Sequence, residues 1–370
     1  MTNTFTIYHL HFTAEVETTI VMDAFKGSAL RGAWQSHLRT LYCAQGDNAD
    51  PLHQAMCPVC FLLSRETGGG DERRPYAFMP PLTRQTTFEP GERFSFGISL
   101  FGDTVQFLPY LVLAVGQMGQ AQGLGRPIHP PAGGQKDARM GSPGPRGKGR
   151  GKARTRSPAP RRGTFRLVSI HEINPLSGGQ RVLLEEGSRM VNTPSLPVTD
   201  QLVADSSQRL EQVLVGNGGR LVLDFLTPTR IVHREKLMHR PHFSPLFARL
   251  LDRVSALREQ FGAPDGEAQL AREEKARLLS IADQVQLVQD ETDWWDVKGR
   301  SSRLGRSQPL GGFVGRAVYQ AEAPAVWRPL LPWLLWGQST QVGKNVVKGC
   351  GWYEVVSERI NESANGRISE

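Results

Sequence analysis

The sequence predicts an α+β protein made of two tandem ferredoxin-like halves, with a glycine-rich loop near its C-terminal side. Three observations predict it. Periodic segments follow the order β-α-β-β-α-β up to about residue 173, and that order is the ferredoxin-like pattern. The same kind of order begins again at about residue 220. Between the last helix and the last strand lies a stretch punctuated by Gly343, Gly349 and Gly351.

The elements of the first half come in this order. Thr4 to Phe12 alternates polar and apolar residues and reads as a strand. Ala24 to Tyr42 carries Leu30, Trp34, Leu38 and Leu41 at helical spacing, so it reads as a helix with those four on its buried stripe and His37 at the stripe's edge. Tyr76–Phe88 and Glu92–Phe101 read as an extended pair, Val105–Gln120 as a second helix and Thr164–Ile173 as a strand. A Gly- and Pro-rich passage follows. In the second half, a strand from Arg220 ends at Thr227-Pro228, because proline cannot donate to a ladder. Helices follow at Ser244–Phe261 and Glu267–Ala282, then strands at Val285–Val297 and Gly311–Tyr319. A Trp- and Leu-rich helix at Trp327–Trp336 and a last strand at Gly351–Val356 complete the unit. The tryptophans of this half share the spacing of the neighbouring leucines and read chiefly as core. Trp295 is the one expected to be exposed, since adjacent tryptophans in a strand point to opposite faces.

The domain reading is therefore residues 1–132 with 164–190 as the first unit, 133–163 as an insertion, and 191–358 as the second unit. Residues 133–163 hold ten basic side chains and one acidic one, with eight glycines and four prolines. That local +9 accounts for the whole net charge of +8 and leaves the other residues close to neutral. Such a composition buries too little apolar surface to offset its ordering entropy, so disorder is expected. It reads equally as a solvated insertion or as a basic arm that collects phosphates.

No apolar run approaches the roughly 20 residues of a membrane span. The N-terminal stretch reads as a strand and not as a signal peptide. Four unevenly spaced cysteines make no secreted disulfide framework, and the expected location is cytoplasmic. Cys57-x2-Cys60 has zinc-ligand spacing, with Cys43 upstream and His53 as a fourth donor. The competing reading is a remnant cluster of free thiols.

The stretch GQSTQVGKNVVKGCGWYEV, Gly337 to Val355, is not a Walker A loop. Five residues separate Gly337 from Gly343, and Asn345 follows Lys344 where that motif needs Ser or Thr. Its glycines would let backbone amides approach phosphate oxygens, with Lys344 and Lys348 adding charge. This loop resembles the signature of the CRISPR-associated RAMP superfamily and of its precursor-processing endoribonucleases. The resemblance extends to Trp294-Trp295-Asp296, Arg300-Ser301-Ser302-Arg303, Gly311–Gly315, Leu223–Arg230, and Gly27–Cys43 with the Cys57–Cys60 pair. It covers both halves but not the basic insertion.

The resemblance implies two RRM-like domains and a metal-independent endoribonuclease. Such an enzyme binds CRISPR repeat RNA and cuts precursor crRNA by 2′-OH attack, leaving a 2′,3′-cyclic phosphate and a 5′-OH. It needs no cofactor for catalysis, and its further partners are CRISPR effector-complex subunits, with no membrane. The alternative it leaves open is a non-catalytic RAMP subunit that binds crRNA. His37 stands where many family members carry a catalytic histidine. The expected RNA contacts are Lys26, Arg31, Arg230, His233, Arg300, Arg303, Gly343, Lys344, Lys348, Gly349 and Gly351, with zinc at Cys43, Cys57 and Cys60. His239 and His242, with Arg234, Lys236 and Arg240, extend the basic stretch past His233.

Overall fold

The computed structural model describes residues 5–43, 50–63, 73–128, 161–262, 270–300 and 307–356. Most of the basic insertion, together with Arg303 and Arg306, lies outside them; its end, Arg161–Gly163, is a strand paired with Leu124–Ile128.

In the first half, strand β1 (Ile7–Val16) leads to helix α1 (Gly27–Tyr42), then β2 (Tyr76–Met79) and β3 (Arg93–Phe101), helix α2 (Leu108–Gln117), β4 (Phe165–Ile173) and β5 (Gln180–Leu184). The antiparallel sheet runs β2-β3-β1-β4-β5. Its first four strands have the ferredoxin-like arrangement, and β5 is an added edge. On one face Leu10, Phe12 and Ala14 of β1 meet Phe96 and Ile98 of β3, under Leu30, Trp34 and Leu38 of α1 and Leu111 and Val115 of α2. Burying each such side chain stabilises the fold by roughly 1.5–3 kcal/mol.

A helix α3 (Asp200–Gly216) joins the halves. It was not expected: the Gly- and Pro-rich composition belongs to the passage before it, and its apolar stripe is sparse. Thr199 caps it by accepting from the Leu202 amide. The second half then runs β6 (Arg220–Thr229), a small hairpin β7 (Ile231–His233) and β8 (Lys236–Met238), α4 (Phe243–Phe261), α5 (Arg272–Ala282) and β9 (Val285–Trp295). A second hairpin, β10 (Lys298–Arg300) and β11 (Ser307–Pro309), leads to β12 (Gly312–Ala321), α6 (Leu331–Thr340) and β13 (Tyr353–Val356). The sheet order β9-β12-β6-β13 repeats the ferredoxin-like plan.

Several boundaries differ from expectation, and two of them show the physical reason. Strand β6 continues past Pro228 to Thr229 because the ladder is irregular between Phe225 and Thr229, where a missing amide costs no regular bond. Helix α6 begins at Leu331, since Pro324–Val326 forms a tight 3-10 turn and Trp327 is fully buried, its indole donating to the Gly219 carbonyl at 2.8 Å.

The halves share a core. Phe5, Ile7, Ala77 and Phe101 project from the helix-free face of the first sheet into the cluster of Leu246, Leu250, Leu334 and Trp336. This explains why every residue of β2 is buried. Arg253 of α4 lies inside the same region, donating to the carbonyls of Thr340 and Gln341 at the end of α6. A cation on those terminal carbonyls satisfies acceptors the helix leaves open.

Candidate functional site

The glycine-rich stretch folds as a tight loop at the seam between the halves. Gln341, Gly343, Asn345, Gly349 and Gly351 all have positive φ. The loop is bound on every side. The Val342 amide donates to the Gly351 carbonyl at 2.9 Å, the Lys344 amide to Arg230 at 3.0 Å and the Gly351 amide to Pro228 at 3.1 Å. The Gln341 side-chain amide reaches the first sheet, donating to the Phe78 carbonyl at 2.7 Å. Helix α1 starts against the loop: a Cβ at Gly27 would stand 1.8 Å from the Lys348 carbonyl oxygen. A Cβ at Gly351 would stand 1.8 Å from the Val342 oxygen. Only glycine allows backbones this close.

The expected RNA contacts fall into three groups. Lys344 is exposed, and Gly343 beside it is half-buried. Lys26 and Lys348, expected as direct contacts, are instead buried. The Lys26 ammonium donates to the carbonyls of Ala24 at 2.9 Å and Thr83 at 2.6 Å, and burial pulls its pKa down to about 8. Lys348 donates to Gln308 Oε1 at 3.0 Å, and Gln308 in turn donates to Asn345 at 3.1 Å. Lys26 therefore ties two backbone segments together and Lys348 anchors the Gln308 side chain, and Gly349 and Gly351 are buried with them. Arg230 is half-buried, donating to the Gly311 carbonyl at 3.1 Å and lying over the Trp294 ring. His233 is half-buried with its Nδ1 enclosed, and burial lowers its pKa. Arg31 is half-buried, its Nε enclosed. Arg300 ends β10, and Arg303 lies outside the described residues.

His37 is on the buried stripe of α1 and not at its edge, at 2% exposure. The stripe runs Leu30, Ala33, Trp34, His37, Leu38, then to Tyr42 packed edge-on against Tyr110, while Leu41 turns outward at 44% exposure. The i, i+4 step from Leu38 lands on Tyr42, which is why Leu41 was misplaced. Nε2 of His37 is enclosed without a hydrogen-bond partner. Burial lowers its pKa, so the ring is neutral near pH 7. It sits ten residues from Gly27, about 15 Å along the axis, and nearer the helix's far end.

That far end holds the cysteines. Cys43 terminates α1; the short helix Pro51–Met56 carries His53 and is capped by Cys57, and the short helix Pro58–Leu63 carries Cys60. The four donor atoms lie within 4.8 Å of one another. Nε2 of His53 is 3.4 Å from Cys43 Sγ and 3.3 Å from Cys60 Sγ, and those two sulfurs are 3.6 Å apart. A tetrahedral zinc with about 2.3 Å Zn–S bonds requires donor separations of about 3.5–3.8 Å. The donor set and its spacing fit, with His53 as the fourth ligand.

Two residues of the seam, Arg84 and Gln308, escaped the sequence reading. Trp295, expected to be exposed, is half-buried because it stacks under the Arg84 guanidinium at 4.6 Å and meets Phe25 edge-on. Neither Arg84 nor Gln308 stands in a pattern that marks it. No helix among the described residues is long and apolar enough to cross a membrane.

A family model described as CRISPR-associated endoribonuclease Cas6 matches residues 223–353, and one described as an N-terminal domain matches residues 5–196. No curated protein matches. A solved partial Cas6-RT-Cas1–Cas2 complex is similar over 98% of this chain and 48% of its own, at 12% identity and a TM-score of 0.56. A second Cas6-RT-Cas1–Cas2 complex gives the same values over 30% of its own chain. A Cas6 product complex, its Cas6 from Thermus thermophilus, is similar over 95% of this chain and all of its own, at 13% identity and a TM-score of 0.50. The chain thus spans less than half the length of the first two, and at these identities the likeness is one of fold.

Proposed function

We propose that the chain is a CRISPR-associated RAMP-superfamily protein of the Cas6 type, an endoribonuclease that binds CRISPR repeat RNA and cuts precursor crRNA. The observation that carries this reading is the seam itself. A loop of five positive-φ residues is pinned between two ferredoxin-like sheets beside exposed Lys344. Cleavage proceeds by in-line attack of the ribose 2′-oxygen on the adjacent phosphate. The P–O5′ bond breaks as the P–O2′ bond forms, giving a 2′,3′-cyclic phosphate and a 5′-OH. The step needs a base for the 2′-OH proton, an acid for the leaving oxygen and cations for the phosphorane, and no metal at the reacting atoms. A neutral imidazole at His37 is in the form that accepts a proton. Lys344 and the half-buried Gly343 and Arg31 supply RNA contacts, while Lys26 positions the backbone and Lys348 the Gln308 side chain. Its partners are repeat RNA and further CRISPR subunits. Zinc at Cys43, His53, Cys57 and Cys60 is structural in this reading, since all four ligands come from protein.

A second reading, a RAMP subunit that binds crRNA without cutting it, is favoured by one observation: His37 is almost wholly enclosed. The two are separated by cleavage of a cognate repeat RNA in EDTA. The wild type is compared with His37→Ala, and a 2′-deoxy nucleotide before the scissile phosphate serves as control. Cutting that the deoxy substrate resists, and that His37→Ala loses while still binding, supports the enzyme and its residue. Tight binding without any cutting supports the subunit. Normal cutting by His37→Ala keeps the enzyme and removes His37.

A further inference from the structure

The β7–β8 hairpin grows out of the seam. Its first residue follows Arg230, whose carbonyl accepts the Lys344 amide of the glycine-rich loop. Three residue pairs form its ladder, from Ile231↔Met238 to His233↔Lys236. The two-residue turn, Arg234 and Glu235, has φ of 47° and 64°. A turn with both central residues at positive φ matches the strand twist, and Asn-Gly is its favoured pair because other side chains are strained there. Here the strained positions carry an arginine and a glutamate. Strain of this kind persists only when the surroundings over-determine it.

Those surroundings are on the helix-side margin of the second sheet. Trp294 lies beside both roots of the hairpin, with Arg230 over its ring on the entering side and the His239 ring 4.5 Å away on the leaving side. Just beyond, Arg240 donates to Asp290 at 2.8 Å and Tyr319 donates to the Pro241 carbonyl at 2.6 Å. The clamp leaves the tip outside. Arg234 and Lys236 are exposed, and among the described residues their side chains make no hydrogen bond or ion pair. Glu235 is the one acidic group at the tip; Asp290 is occupied by Arg240. The result is two free cations on a fixed stem roughly 10 Å long, rooted on the loop that the proposed RNA site is built from.

We propose that this hairpin is a phosphate-binding finger: Arg234 and Lys236 grip backbone phosphates of RNA beyond the glycine-rich loop, and Trp294 is the positioning residue that fixes its angle. The inference rests on the reading of the chain as an RNA-binding protein. Two rigidly held cations contribute to affinity without base specificity, and they contribute in a salt-dependent way.

The test is binding of a cognate repeat RNA across a salt series, with single-turnover cleavage at saturating protein. Arg234→Asn with Lys236→Gln removes both charges and places at the strained position a residue that tolerates it, so folding is preserved or improved. The expected result is an affinity about tenfold lower and a salt slope smaller by about 2, with Tm unchanged or higher and the saturated cleavage rate unchanged. Trp294→Ala weakens binding in the same way, and Trp294→Phe restores it. Wild-type affinity and slope in the double variant, with RNA bound normally by the wild type, overturn the finger and leave the proposed function standing. Absence of RNA binding by the wild type overturns both.

Discussion

Helix α1 has a different kind of site at each end. At its start, the glycine-rich loop is held by backbone pressed on backbone, with Gly27 and Gly351 each leaving no room for a Cβ. At its finish, the corner of Cys43, His53, Cys57 and Cys60 is held by side-chain donors converging on one point. The loop should therefore be sensitive to bulk and indifferent to chelators, and the corner the reverse.

The largest effect expected is at the loop. Gly351→Ala puts a methyl 1.8 Å from a carbonyl oxygen at φ 80°. It should cost on the order of 4 kcal/mol, seen as a loss of Tm in calorimetry, together with RNA binding. The corner comes next. The purified protein should hold one zinc per chain by elemental analysis, and Cys60→Ser or a strong chelator should remove it at a cost of about 3 kcal/mol. Equal chelator sensitivity in a zinc-free protein would break the contrast.

Protons sharpen it further. His9 of β1 is fully buried, its Nδ1 2.9 Å from Ser99 Oγ, and burial drives its pKa down to about 3; burial and His171 bring its neighbour His11 to about 4. Because the unfolded histidine titrates near 6.5, the unfolded state binds the extra protons as pH falls from about 6.5 toward 3. Stability is full above that window and is lost within it. Between pH 7.5 and pH 5, His9 alone should account for about 2 kcal/mol, and His9→Gln should flatten the acid limb of Tm against pH. The smallest effect is at Gly32, between the two ends, where a Cβ meets nothing within 4 Å. Gly32→Ala should stabilise by about 0.5–1 kcal/mol.

The two ends also differ in how well the sequence announces them. The cysteine spacing and His53 led directly to the corner, because metal ligands must be specific residue types at short intervals. The glycines marked the loop for the same reason, since few other residues adopt its dihedrals. Charges were less legible. Lys26 and Lys348 look like any solvated lysine in the sequence, and only the arrival of Thr83 and Gln308 from distant segments shows that both are enclosed. The stripe ends on Tyr42 and not on Leu41, one position on, because its end depends on Tyr110 of another helix, and that turn places His37 on the stripe. The repeated strand order was readable from periodicity, whereas helix α3 was lost behind the glycines and prolines that precede it.

The last strand, Tyr353–Val356, pairs with residues 222–225 of β6, more than a hundred positions earlier. The loop is the chain that precedes this strand, so its bonds to Pro228, Arg230 and Phe78 close only once the strand has docked. During synthesis the first half and its cysteine corner emerge well before that event. The start of α1 then waits without its partner surface, and the seam does not exist on a partly made chain. The seam therefore closes late, as the longest-range contacts of a fold do.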